Sequence, residues 1–201
     1  MCAVINPSLA NQLRAEDNEG KVEKLFAYMR EHGQGSYDEA VTQLDHGLQA
    51  ARLARQSGVT SRLVTAALLH DLGHFLLNEE TEGERLLADD FDHEHVAADY
   101  LAPFFAPAVT EPIRLHVPAK RYLCTTDPSY YDGLSQASKR SFVVQGGRLN
   151  AEERAELDAH PHLQKALQLR RWDDQSKVAD LTVPRLEAYR EDVLRALRST
   201  T

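Results

Sequence analysis

Leu63-Val-Thr-Ala-Ala-Leu-Leu-His70-Asp71-Leu-Gly-His74 is the stretch that decides the fold. From Leu63 to Leu69 it is apolar nearly all round, which at helical spacing describes a buried central helix. Thr60 or Ser61 is placed to cap its start. Two polar, metal-competent residues then follow without interruption. Burying His70 and Asp71 without partners would cost several kcal/mol, so the fold must supply them. A metal ion answers that need, because neutral imidazole and carboxylate suit iron, manganese or zinc. Neighbouring helical positions point about 100° apart, so His70 can hold one ion while Asp71 leans across to a second.

Outward from this segment the helical period recurs, and alternating strand patterns are nearly absent. The pattern predicts helices over residues 21–32, 37–57, 62–77, 93–101, 111–116, 134–145, 163–172 and 184–197, with another around Arg154 and Leu157. Gly33, Gly35, Gly58 and Gly146-Gly147 are suited to stop helices. Pro103 and Pro107 break the chain after the helix that begins at His93, and Asp127-Pro128 opens a turn. Asn150 and Glu153 have the spacing of a capping box. The fold class expected is all-α, a helical bundle, with the 201 residues forming one domain whose core covers about residues 37–189.

A composition of 42% hydrophobic and 27% charged residues is that of an ordinary globular protein. The net charge of −8 argues against a general nucleic-acid binder, which would carry a basic face. Cys2 and Cys124 match no metal motif and read as reduced thiols. The start, MCAVINPSLANQLRAED, shows no basic segment followed by an apolar run, and no stretch approaches the roughly 20 apolar residues of a membrane span. The expected address is the cytoplasm, with no membrane or nucleic-acid partner.

A lone His-Asp pair carries little, but four further candidates lie on separate predicted helices. His46 interrupts an apolar, alanine-rich helix, and His93 opens another. His116 ends a short apolar helix, and Asp173 follows Arg170-Arg-Trp172. Carboxylates and histidines converging from several helices are how bundles make dinuclear sites. The order His46, His70-Asp71, His93, His116, Asp173 resembles the six-ligand, dinuclear version of the HD-domain superfamily of metal-dependent phosphohydrolases and oxygenases. That resemblance favours His93 over His95 and Asp173 over Asp174 or Asp180. His32, His160 and His162 fall outside the pattern and read as surface histidines.

Further residues narrow the chemistry. Lys120 lies four residues after His116 and can face the metals, and His74 lies one turn after His70. Ser138 and Ser141 share a helix face. Together they make a plausible cradle for a phosphoryl or phosphonyl group. Singly, each is as well explained as a solvated lysine, a satisfied histidine or a surface serine.

Longer segments carry a closer resemblance, to the mixed-valent diiron HD-domain oxygenases that cleave carbon–phosphorus bonds. They are Glu39-Ala-Val-Thr-Gln-Leu-Asp-His46, Ala66-Ala-Leu-Leu-His-Asp-Leu-Gly-His74, Pro112-Ile-Arg-Leu-His-Val-Pro-Ala-Lys-Arg-Tyr122, Leu134-Ser-Gln-Ala-Ser-Lys-Arg-Ser141, Gln145-Gly-Gly147 and Arg170-Arg-Trp-Asp-Asp174. The resemblance implies an Fe(II)/Fe(III) pair, O2 as co-substrate, release of phosphate, and departure of the carbon fragment as a carboxylic acid. It gives catalytic roles to Glu39, His74 and Lys120, and substrate contacts to Tyr37, Asp38, Glu39, His74, Lys120, Ser138 and Ser141. In the enzymes acting on 2-amino-1-hydroxyethylphosphonate a Tyr-x-x-Glu lid reaches the site. Glu39 matches that glutamate, but Ser36 stands in place of the tyrosine, with Tyr37 displaced by one. Loss of a bulky group there makes room for a larger cationic head, so the expected substrate is (1-hydroxy-2-(trimethylammonio)ethyl)phosphonate, giving glycine betaine. The primary-amine substrate, giving glycine, is the alternative. A metal-dependent phosphohydrolase is the alternative of another class, and a metal-stabilised binding module without turnover is a third.

Overall fold

The structure is a computed structural model describing residues 7–36, 41–78 and 92–198, and among these residues it holds helices and no strand. Tyr37, Asp38 and Glu39, Cys2, and most of the acidic segment before Asp92 lie outside the described residues. The helices are α1 (Pro7–Ala15), α2 (Asn18–His32), α3 (Gln43–Gln56), α4 (Ser61–Leu69), α5 (Leu72–Asn78), α6 (His93–Leu101) and α7 (Pro107–Arg114). After them come α8 (His116–Thr126), α9 (Pro128–Gly133), α10 (Gln136–Val144), α11 (Ala151–Asp158), α12 (Leu163–Gln175), a 3-10 turn (Leu186–Tyr189) and α13 (Arg190–Ala196). The all-α expectation holds.

α4 is the buried axis that its sequence describes, every residue from Leu63 to Leu69 being buried. It packs against α3, α7, α12 and α13, so a helix without a polar face is surrounded by neighbours. α3 and α4 approach closely at Gly47, where a Cβ would sit 2.9 Å from the Leu68 carbonyl oxygen. The larger apolar core joins Leu48, Leu69, Leu101, Ile113 and Leu169 with the α2 residue Phe26. A smaller cluster, including Leu123 and Leu167, seals α8 against α12.

Local chemistry explains most boundaries. Thr42 caps α3 by accepting from the Asp45 N–H at 3.0 Å, and the Asn150–Glu153 capping box forms as its spacing predicts. Four expectations change. α3 begins at Gln43 rather than near residue 37. The helix expected over 62–77 is two helices, because the chain turns at His70 and Asp71 between α4 and α5. His116 does not end a helix but opens α8 directly after α7: Pro118 falls in the first turn of α8, where its missing N–H breaks no intrahelical bond. α1 and α9 are also helical where no helix was expected.

Candidate metal centre

Three imidazoles are fixed by main-chain carbonyls. His70 stands just past the end of α4 and His116 just past the end of α7, where the last carbonyls lack intrahelical partners. Each ring turns back to fill that deficit: His70 Nδ1 lies 2.9 Å from Ala67 O, and His116 Nδ1 lies 2.7 Å from Ile113 O. His46, on α3, places Nδ1 2.7 Å from Ser176 O at the C-terminal cap of α12. A carbonyl only accepts, so each Nδ1 carries the proton, and the Nε2 of a neutral ring is left with a lone pair.

The lone pair of His46 faces that of His70, and the lone pair of His116 faces the ring of His93. His46 Nε2 and His70 Nε2 are 3.2 Å apart, and His93 Nε2 and His116 Nε2 are 3.1 Å apart. Burial lowers the His70 pKa and pushes His116 down to about 4, so at neutral pH neither ring gains the second proton that could make these contacts hydrogen bonds. Two opposed lone pairs in a dry interior repel unless a cation stands between them. The carboxylates show the same deficit, because Asp71 Oδ2 and Asp173 Oδ1 are buried without a hydrogen-bond partner. This donor set fits metal ions.

Asp71 stands between the two imidazole pairs. Its Oδ2 lies 3.4 Å from His46 Nε2, while Oδ1 lies 3.6 Å from both His93 Nε2 and His116 Nε2. Asp173 Oδ1 completes the first cluster at 3.2 Å from His46 Nε2. The structure thus brings together His46, His70, Asp71, His93, His116 and Asp173, the set chosen from the sequence.

The competing residues sort cleanly. His95 is exposed, Asp174 is engaged by Tyr130 and Arg170, and Asp180 is exposed. His32, His160 and His162 are half-buried rather than fully solvated, and they lie outside the cluster. His74 stacks on His93 with ring centroids 3.9 Å apart, and its ligand atom lies within 4.8 Å of those of Asp71 and His93. Removal from water beside His93 pushes its pKa down to about 3, leaving a neutral ring at the edge of the second cluster.

Beside the histidines lies a cationic cradle. Lys120, only 2% exposed, donates to Ser141 Oγ at 2.9 Å, and Lys177 donates to Ser138 Oγ at 2.9 Å. Lys177 also stands close enough to Asp173 to help hold that carboxyl ionised. Lys177 was missed in the sequence, although it lies four residues after Asp173, as Lys120 lies four after His116. Two ammonium groups and two hydroxyls match an oxyanion with several acceptor oxygens.

Comparison with known proteins agrees with this geometry. The HD domain family matches residues 43–145. The chain is 52% identical to hydroxymethylphosphonate dioxygenase of Gimesia maris over 190 residues, 94% of each chain. It is 41% identical to the glycine-betaine-forming [1-hydroxy-2-(trimethylamino)ethyl]phosphonate dioxygenase of Leisingera caerulea, over 73% of this chain and 74% of that one. The chain belongs to the HD-domain oxygenases. An uncharacterized protein of Acanthamoeba polyphaga mimivirus is also related, at 37% identity over 81% of this chain and 75% of the relative. This HD-domain oxygenase is O2-dependent, and its clustered histidines and aspartates make it a metal-dependent one. The phosphohydrolase and binding-module alternatives therefore fall away.

Proposed function

We propose that this HD-domain oxygenase uses two iron ions and O2 to cleave the carbon–phosphorus bond of a 1-hydroxyalkylphosphonate in the cytoplasm. The observation that carries the reading is the pair of opposed imidazole contacts straddled by Asp71, with the Lys120–Ser141 and Lys177–Ser138 pairs beside them. His46, His70 and Asp173 would hold one ion and His93 and His116 the other, with Asp71 lying beside both groups. Bound iron would supply the activation of O2, which no side chain here can perform. The protein contributes binding and orientation. The lysines and serines hold the phosphonate oxygens, and the neutral ring of His74 borders the second position as a hydrogen-bonding group.

Among substrates, the higher identity over more of both chains favours hydroxymethylphosphonate. Its one carbon would leave as formate alongside phosphate, with one O2 consumed. The trimethylammonio substrate, expected from Tyr37, Asp38 and Glu39, is the second reading and is supported by the glycine-betaine-forming relative. The primary amine ranks third. The test is O2 uptake and phosphate release by iron-loaded protein with each of the three phosphonates. Phosphate released without O2 uptake would refute the oxygenase chemistry proposed. A higher kcat/KM for the trimethylammonio compound would refute only the substrate preference.

A further inference from the structure

Asp173 is held from behind. Arg170, one turn earlier on α12 and 3% exposed, donates from Nη1 to Asp173 Oδ2 at 2.6 Å. Its Nη2 donates to Asp174 Oδ1, and its Nε donates to Tyr130 OH at 3.2 Å. The Tyr130 hydroxyl in turn donates to Asp174 Oδ2, closing a ring of three side chains (Arg170, Asp174 and Tyr130) that joins α9 to α12 and to which Asp173 is attached through Arg170. Every guanidinium nitrogen is thereby engaged. One carboxylate oxygen of Asp173, Oδ2, is held by the arginine of this ring, and the other, Oδ1, faces His46 and His70.

A free carboxylate beside a metal can bind through one oxygen or two, and it can rotate between them. A guanidinium N–H held on Oδ2, with its other nitrogens fixed by Asp174 and Tyr130, removes that freedom. We propose that Arg170, braced by Asp174 and Tyr130, is a positioning residue that restricts Asp173 to one-oxygen ligation through Oδ1. This rests on the two-metal reading of the site. The ring also ties the metal end of α12 to α9, the helix that follows the Lys120-bearing α8. A fully buried arginine shared by two adjacent acids has no need of that geometry if its task is only to neutralise charge. A lysine would neutralise them equally, but it cannot make the planar contacts with three partners at once.

The experiment titrates the full-length, metal-free protein with Co(II), following the visible d–d absorption that reports coordination number, and records the melting temperature of the metal-free form. The proteins are the unsubstituted chain, Asp173→Asn, Arg170→Lys and Tyr130→Phe. Arg170→Lys is expected to weaken Co(II) binding at one position by about 10- to 100-fold. Its d–d bands should also lose intensity as Asp173 becomes free to bind through both oxygens and raise the coordination number. Tyr130→Phe should produce the same change of spectrum with a loss of about 10-fold or less. Tight Co(II) binding with an unaltered spectrum in Arg170→Lys overturns the proposal, whatever happens to the melting temperature. Should Arg170→Lys fail to fold, Tyr130→Phe, which removes a single hydroxyl, decides the matter by the same criterion. Failure of the unsubstituted chain to bind Co(II), or unchanged binding in Asp173→Asn, would instead refute the metal centre itself.

Discussion

Gly73→Ala joins fold and chemistry in one measurement. A Cβ at Gly73 would stand 2.0 Å from the main-chain oxygen of His93 and 2.7 Å from its carbonyl carbon. A carbon–oxygen contact needs about 3.3 Å, so α5 and the start of α6 must separate by more than about 1 Å. No rotamer change relieves the clash, because the obstacle is backbone. Overpacking commonly costs about 1–3 kcal/mol, and the upper end applies here. In a chain of 201 residues each kcal/mol lowers Tm by roughly 2–4 °C, so about 3 kcal/mol corresponds to a fall of roughly 6–12 °C. The same displacement moves His93, whereas ligand distances tolerate only about 0.2 Å. The variant should therefore fold, melt earlier when metal-free, and retain one metal ion in place of the two proposed for the unsubstituted protein. Calorimetry of the metal-free form and elemental analysis after iron loading read the two effects separately. An unchanged Tm together with two retained ions would refute the claim that Gly73 sets the position of His93.

His116→Ala, which removes one of two opposed imidazoles, should lower bound iron from two equivalents to one and abolish O2 uptake; elemental analysis showing two irons with full activity would contradict the ligand assignment. Lys120→Met should raise KM for the phosphonate by about 10- to 100-fold while leaving iron content intact, since a charge-assisted hydrogen bond contributes roughly 1.5–3 kcal/mol. Steady-state kinetics beside metal analysis would check this, and an unchanged KM would remove Lys120 from the substrate contacts.

The class of fold was legible because α4 is apolar on every side and His70-Asp71 follows it directly, a combination that only a buried, ligand-bearing helix accommodates. The six clustered side chains were legible for other reasons: His46 interrupts an apolar helix and His70-Asp71 follows one, while the choice of His93 over His95 and of Asp173 over Asp174 rested on the resemblance to the HD-domain family. Boundaries were read less well. The short helix was expected to end at His116, yet α8 opens there, and Pro118 in its first turn costs no hydrogen bond, so the chain runs on to Thr126. The turn between α4 and α5 left no glycine or proline to mark it; instead its unfilled carbonyl at Ala67 is taken by the His70 ring, a tertiary solution that periodicity does not encode. Tyr130 and Asp174 lie 44 positions apart, and nothing local at either announces that they meet and share Arg170. Lys177 could have been found by applying to Asp173 the spacing argument already used for His116 and Lys120.

The main-chain anchoring of His46, His70 and His116 has a bearing on how such enzymes diversify. The proton that decides which nitrogen faces the metals is set by the carbonyls of Ser176, Ala67 and Ile113, and a carbonyl persists whatever side chain occupies its residue. Substitutions at those three anchors can alter packing without deleting the acceptor. The lysines and serines proposed to hold the phosphonate have no such insurance, since each depends on its own identity. Selection on the proposed substrate can therefore rework the lysines and serines over many generations while the histidine cluster beside them is inherited unchanged.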